Sequence, residues 1–330
     1  TALSLEIQPT LKPTFGSLAW FLDRKQLPSP CRVHLNAGTR VIHLKLLEDG
    51  SCSATVPIDG PKIPGRLHAL LAVGRAALSC SNLRSVALQF HDEEPDDPCL
   101  AFDSAWNSDG RLLIPDPYCL ASDGFKAIWN DFEKDPLPPW RERRACMFWR
   151  GATTGKKALT VQRIRQLPRY ALCSLSQQLP DCVDARFTNV VQTRDQEAEQ
   201  AIRQWLKGQG LISERVSPRV FGQQRWLIDI DGNVNSWGLL WKLFSGSCLL
   251  RVASPRRQWF HNRMEPYQHF VPVAANLQNL EGQLAWCHDN LDQCETIAAA
   301  GRKLALDVIA EQGLDLVAAL QQWRQHSYSL

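Results

Sequence analysis

Two short stretches of the chain combine glycines, hydroxyls and polar or basic side chains, a set of groups that can bind phosphate. Residues 149–155 read Trp-Arg-Gly-Ala-Thr-Thr-Gly and provide one guanidinium, two glycines and two hydroxyls. Residues 231–237 read Asp-Gly-Asn-Val-Asn-Ser-Trp and offer backbone amides beside polar side chains. Such groups suit a phosphate or diphosphate. The ordinary alternatives are a surface ion pair for Arg150 and a helix-capping turn for residues 231–236.

The pattern alone does not establish nucleotide binding, because neither stretch is a P-loop or a G-x-G-x-x-G fingerprint. Both stretches do follow apolar runs and precede helical patterns. In a parallel α/β sheet, ligands lie beyond the carboxyl ends of the strands, where loops lead into helices. We therefore treat the two stretches as candidate ligand loops.

The second half of the chain alternates strand, loop and helix. Apolar runs at residues 145–149, 225–230 and 248–252 indicate strands, and helices are expected from about 156 to 167 and from about 236. This alternation predicts α/β architecture with a mainly parallel sheet.

The first half shows several short strand patterns, among them residues 41–46 and 85–90, and one helical pattern at residues 66–79. Residues 133–143 are the best linker candidate, because three prolines between 136 and 139 cannot continue a helix or a central strand. A chain of 330 residues also exceeds the size at which one core usually stops growing. We place a first domain at residues 1–138 and a second at 139–303.

Charge and hydropathy exclude two classes of partner. The chain has 37 Lys+Arg against 34 Asp+Glu, so its net charge is 37 − 34 = +3, which is no basic stripe for nucleic acid. The sequence contains no run of about 18 apolar residues, so it predicts no transmembrane segment. We expect a cytoplasmic protein, with peripheral contact at the inner face of the membrane left open.

The 11 cysteines predict neither a zinc site nor a disulfide framework. They never form a C-x-x-C pair, and no histidine lies at zinc-ligand spacing from two of them. Many lie in apolar stretches, as Cys146 and Cys248 do, which is typical of buried thiols in a cytosolic protein. The alternative is a periplasmic or secreted chain with disulfides.

Five stretches in this order resemble the signature of glycosyltransferase family 90. This family includes Rumi-like protein O-glucosyltransferases, fungal capsule xylosyltransferases and bacterial lipopolysaccharide-modifying enzymes. The stretches are residues 148–155, 226–237, 243–247, 259–273 and 297–303. The resemblance covers about residues 145–305, and the form of the first stretch looks closer to the bacterial branch.

The resemblance implies a GT-B fold, in which two Rossmann-like domains face each other across a cleft, and a last helix, residues 304–330, that returns to the first domain. It implies inverting transfer from a UDP-sugar, held mainly by the second domain, without an obligatory metal or other cofactor. Asp229 and Asp231 have Asp-x-Asp spacing, but they fall in the family's strand-to-loop segment, so we predict no metal there. The acceptor would be a hydroxyl of a glycan, a lipid-linked glycan or lipopolysaccharide.

Carried over by motif, the donor-binding residues are Arg150, Gly151, Thr153, Thr154, Asn233, Val234, Asn235, Ser236 and Trp237. The chain departs from the Rumi-like pattern where those members carry arginines, since it has Thr153 and Gly238 at the two positions. If those cations help bind diphosphate, the charge must come from elsewhere. The candidates are Arg219, Arg225, Lys242 and Arg251.

In Rumi-like enzymes the catalytic base is an aspartate that follows an apolar strand and precedes a proline-containing loop. Asp92 fits this context, and Asp116, which also ends an apolar run, is the second candidate. The ordinary alternative for Asp92 is a solvated acidic loop, because Glu93, Glu94, Asp96 and Asp97 surround it.

Two other functions remain open at this stage. The missing cations at Thr153 and Gly238 also fit a catalytically lapsed protein that binds a nucleotide-sugar or a glycan. The second open function is that of a protein O-glycosyltransferase, which acts on serine or threonine.

Overall fold

The structure is a computed structural model that describes residues 31–327 except 81–82, 93–94, 96–97 and 109–110. The acidic neighbours of Asp92 at those positions therefore lie outside the described residues. The chain forms two compact units. The first contains the chain up to Lys126, Arg256–His261 and the chain from Asp307; the second contains Ala127–Pro255 and Asn262–Leu306.

The first unit contains six strands: β1 (Cys31–Asn36), β2 (Val41–Leu46), β3 (Cys52–Pro57), β4 (Ser85–Gln89), β5 (Ser104–Ala105) and β10 (Arg256–Arg257). Four of them form a mixed sheet in the order β1-β3-β2-β4. Strands β1 and β3 are parallel, whereas β2 runs antiparallel to both β3 and β4. The two-residue strands β5 and β10 form an antiparallel pair.

Two helices of this unit are α1 (Pro64–Cys80) and α2 (Pro117–Ala121). Helix α1 approaches the sheet closely at Gly74, where a Cβ would lie 2.5 Å from Leu44 Cδ1. The part of the last helix that belongs to this unit packs on the end of α2, since Cys119 Sγ donates to Gln312 Oε1 at 3.2 Å. A Cβ on Gly124, which has a positive φ of 69°, would lie 2.3 Å from Ile309 Cγ2.

The second unit contains five strands: β6 (Arg144–Ala152), β7 (Val183–Asn189), β8 (Gln224–Asp229), β9 (Cys248–Val252) and β11 (Val271–Val273). They form one sheet in the order β11-β9-β8-β6-β7, and all its strand pairs are parallel. The α/β class with a parallel sheet, predicted from the sequence, is therefore confirmed.

The remaining helices begin with α3 (Lys126–Lys134), and most of them lie in the second unit. The others are α4 (Val161–Ile164), α5 (Pro168–Gln178), α6 (Gln196–Gly208), α7 (Pro218–Gly222), α8 (Leu239–Phe244), α9 (Leu280–Asp289) and α10 (Leu291–Ser327), and 3-10 turns lie at Gly60–Lys62, Trp140–Glu142 and His261–Arg263. Large buried side chains from the strands and helices, such as Trp149, Phe187 and Trp226, form the core of the unit.

Helix α3 precedes the proline-rich stretch, yet it belongs to the second unit. Its Trp129 and Phe132 make edge-to-face contacts with Phe244, at ring-centroid distances of 5.7 and 6.0 Å. The two compact units divide near Lys126, and α3 packs on α8 through the buried Phe132 and the half-buried Trp129.

Candidate functional site

The two candidate ligand loops meet at the carboxyl ends of β6 and β8, and Arg169 joins them. Its Nε donates to the carbonyl oxygen of Asp231 at 2.8 Å, and its Nη2 donates to that of Ile230 at 3.1 Å. Its Nη1 donates to the carbonyl oxygen of Ala152 at 3.0 Å and to Thr154 Oγ1 at 2.6 Å. The single guanidinium of Arg169 therefore holds both loops in place.

The same two loops approach each other too closely for a side chain at Gly232. A Cβ there would lie 2.4 Å from Thr154 Oγ1, so glycine is required. Gly155, with a φ of 127°, donates its amide to Asn233 Oδ1 at 3.1 Å. The structure thus brings Thr154 and Asn233, predicted separately, into one set of contacts.

Arg150 is neither a surface ion pair nor a freely projecting cation. Its Nη2 lies 2.8 Å from Asp184 Oδ1, and its side chain is 9% exposed. Its Nη1 donates to the carbonyl oxygens of Trp149 and Asp184 at 2.9 and 2.8 Å. Burial lowers the pKa of Arg150, and the charge of Asp184 opposes this change. The guanidinium, packed 4.2 Å from the centre of the Phe148 ring, is fixed at the end of β6.

A cavity of about 390 Å³ opens beside Arg150, at the carboxyl ends of β6 and β7. Phe221 and Trp241, whose rings meet edge to face at 5.0 Å, form an aromatic wall. The rest of the lining comes from the strand ends and the segment before α7: Arg150, Gly151, Ala152, Thr188, Asn189, Arg215, Val216 and Pro218. Arg215 was not predicted, because no motif in the sequence marks it.

Several of the predicted donor residues have side chains that are buried or hydrogen-bonded within the protein. Thr153 is fully buried, and its Oγ1 donates to the carbonyl oxygen of Val191 at 3.0 Å and accepts from the Val191 amide at 2.8 Å. Gly151 has a steric reason to be glycine, since a Cβ would lie 2.4 Å from the Trp149 ring. Val234 and Asn235 are buried, and Trp237 is half-buried.

The four candidate cations also have partners within the second unit. Lys242 Nζ lies 2.6 Å from Asp229 Oδ1 and donates to Ser236 Oγ at 3.1 Å. Arg219 forms ion pairs of 3.1 Å with both Asp131 and Asp135. Arg225 donates to the Arg141 carbonyl oxygen, and the Arg251 guanidinium lies 5.6 Å from the centre of the Phe270 ring. These four cations are not among the residues that line the 390 Å³ cavity.

Both candidate bases lie in the first unit and face the charge of Arg66. Asp92 Oδ1 is 2.9 Å from Arg66 Nη2, and its side chain is 25% exposed. Asp116 is 2% exposed and caps α2 by accepting amide hydrogens from Tyr118 and Cys119 at 2.9 and 2.8 Å. Burial raises the pKa of Asp116 to about 7, opposed by these hydrogen bonds and by Arg66. Asp92 is thus the more accessible of the two carboxylates.

Within residues 31–327, apart from the four gaps, no three His, Cys, Asp or Glu side chains are grouped as metal ligands. No helix in that part of the chain has the length and apolarity to cross a bilayer. Asp229 is paired with Lys242, and Asp231 accepts from Ser254. Nine of the 11 cysteines, those whose side chains the structure describes, have free thiols.

The chain is similar to proteins from viruses and animals. It is 28% identical to an uncharacterized protein of Frog virus 3 (isolate Goorha) over 54% of this chain and 19% of that protein. It is 23% identical to human protein O-glucosyltransferase 3 over 57% of this chain and 33% of that protein. The chain therefore spans about a fifth to a third of the length of these two relatives.

Among solved structures, the Anabaena protein Alr3699/HepE in complex with UDP-glucose matches 62% of this chain and 53% of its own, with 15% identity and a TM-score of 0.36. Residues 126–313, more than half of the chain, match the family described as Glycosyl transferase family 90. The chain, whose second unit contains both ligand loops and the cavity, belongs to glycosyl transferase family 90.

Proposed function

We propose that this protein is a glycosyltransferase that moves a sugar from a UDP-sugar to a hydroxyl group of a glycan or lipopolysaccharide-type acceptor. The observation that carries the proposal is the family match over residues 126–313, which contains both loops at the carboxyl ends of the parallel strands. In the GT-B arrangement that we propose, the second unit binds the donor and the first unit supplies the base.

The donor would bind beside the ends of β6 and β7. The aromatic wall formed by Phe221 and Trp241 suits a nucleobase, whereas Thr188 and Asn189 offer hydrogen-bonding groups. A leaving diphosphate needs positive charge, and fixed cations can supply it without a metal. Arg150, held in one orientation by Asp184, is preorganised for this task.

The reaction would invert the anomeric centre in one displacement. A carboxylate takes the proton of the acceptor hydroxyl, the oxygen forms a bond to the anomeric carbon, and the bond from that carbon to UDP breaks. Asp92 is our choice for the base because its side chain is partly exposed at the end of β4, whereas Asp116 is buried and accepts two backbone amides.

Titration of the full chain with UDP by calorimetry tests the proposal, and failure to bind any UDP species would overturn it. A second measurement, sugar release from UDP-glucose and UDP-xylose without acceptor, separates an active transferase from a lapsed binding protein. An active enzyme should release sugar slowly to water. Binding without release or transfer would support the lapsed alternative.

The acceptor class needs a separate comparison. The similarity to human protein O-glucosyltransferase 3 keeps a protein serine or threonine in consideration. Transfer of labelled sugar to lipopolysaccharide, free oligosaccharide and a folded protein domain, assayed side by side, would decide between glycan and protein acceptors.

A further inference from the structure

We infer that Arg215 binds the diphosphate of the donor in the 390 Å³ cavity, an inference that rests on the proposed function. Arg215 lines this cavity with an exposed side chain. Within the described part of the chain it has neither a hydrogen bond nor an ion pair. Its charge is therefore available to a ligand, whereas Arg219 and Lys242 already form ion pairs with aspartates.

The backbone around Arg215 is fixed against the sheet. The Phe187 amide of β7 donates to the Leu211 carbonyl oxygen at 2.9 Å, and the Ser213 amide donates to the Phe187 carbonyl oxygen at 2.8 Å. Arg215 follows two residues after this anchored point, and Pro218 then starts α7. The segment thus holds the guanidinium at the cavity with little loss of backbone entropy on binding.

The local charge also favours an anion. Asp184 is approached by Arg150, Arg186 and Arg144, at 2.8, 3.5 and 3.7 Å. One carboxylate thus faces three guanidinium groups, and it cannot neutralise them all. Of these groups Arg150 lines the cavity, and Arg215 adds a second positive charge to its lining. A phosphorylated ligand would be attracted to these two guanidinium groups.

This assignment accounts for the departures at Thr153 and Gly238. Thr153 is buried against Val191, and a Cβ on Gly238 would lie 2.7 Å from Trp241 Nε1. Neither position has room for an arginine in this fold. A cation on the segment before α7, where Arg215 lines the cavity, can supply positive charge in their place.

The test uses calorimetry on the full chain with three probes: UDP, uridine and inorganic pyrophosphate. In the Arg215→Gln variant the Kd for UDP should rise about tenfold to a hundredfold, the loss typical of a charge-assisted hydrogen bond. The Kd for uridine should stay unchanged. Arg203→Gln is the matched control, because Arg203 is exposed on α6 and pairs with Glu199 in the same unit.

Unchanged UDP affinity in Arg215→Gln, or an equal loss for UDP and uridine, would overturn the inference. Pyrophosphate separates this result from failure of the proposed function. Pyrophosphate binding that depends on Arg215 without any UDP binding would support the anion site and contradict the transferase proposal. A wild type that binds neither would overturn both. Thermal unfolding of each variant shows that the fold is kept.

Discussion

Lys242 Nζ and Asp229 Oδ1 lie 2.6 Å apart, with both side chains at least 93% buried. The lysine is on α8 and the aspartate ends β8, so the pair joins a helix to the strand that precedes it. A charge this deep is tolerated because its partner compensates it. The pair is therefore a structural element at the base of the second ligand loop.

Removing the lysine alone should destabilise the protein strongly. Lys242→Met removes the cation that contacts the buried Asp229, and breaking a buried pair in this way typically costs about 3–5 kcal/mol. Urea unfolding followed by tryptophan fluorescence measures the loss. Lys207→Met, at an exposed position on α6, should change stability by less than about 0.5 kcal/mol. Equal losses in the two variants would contradict the structural role.

Asp92→Asn should abolish transfer but leave UDP affinity nearly unchanged. The amide cannot take a proton, and a general base typically contributes about 10²- to 10⁴-fold to the rate. Initial rates with saturating UDP-sugar measure the effect. Asp59→Asn is the control, because the Asp59 side chain is 42% exposed and pairs with His91 in the same unit. Retained turnover in Asp92→Asn would move the base to Asp116.

Arg169→Met should loosen both ligand loops at once. Its guanidinium supplies four hydrogen bonds, to the carbonyl oxygens of Ala152, Ile230 and Asp231 and to Thr154 Oγ1. Hydrogen exchange should become faster at residues 150–155 and 230–233 together. Arg165→Met, which lacks these contacts and lies near Trp205, is the control. Faster exchange in one loop alone would show that the arginine does not couple them.

The stability of the wild type should fall with rising pH through one identifiable group. Burial raises the pKa of Asp116 to about 7 from its ordinary value of 3.8. Between these values the native state binds more protons than the unfolded state, so the free energy of unfolding decreases as pH rises. The contribution is complete below about pH 3.8 and is lost as the pH passes about 7.

Asp116→Asn removes this titration while keeping an N-cap acceptor. We therefore expect the variant to gain stability relative to the wild type between pH 5 and pH 8, by about 1–3 kcal/mol. Urea unfolding at both pH values measures the difference. An identical pH dependence in the two proteins would contradict the raised pKa.

The sequence predicted the elements whose signals are local. The strand at residues 225–230 is observed as Gln224–Asp229, since an apolar run ends at Asp-Gly-Asn. The helix expected at 156–167 is instead the short α4, followed by α5 from Pro168. Ala158 has a φ of 52°, which interrupts a helix there.

The site residues that sequence reasoning missed depend on distant partners. Arg169 contacts the carbonyl of Asp231, 62 residues away, and no spacing rule marks such a pair. Arg215 is placed at the cavity by the pairing of its segment with Phe187. Conversely, the sequence predicts Thr153 as a ligand group, because a hydroxyl in a glycine-rich loop can bind either a ligand or the backbone. In the structure it hydrogen-bonds to the backbone of Val191.

The position of Arg169 between the two ligand loops constrains how the sequence can diverge. Thr154, Arg169 and Gly232 lie on separate segments but occupy one crowded point, since a Cβ on Gly232 would meet both other side chains. A relative that replaces the arginine should therefore also vary at the positions of Thr154 and Gly232. These three positions are expected to change as a set during evolution, although no ligand need contact any of them.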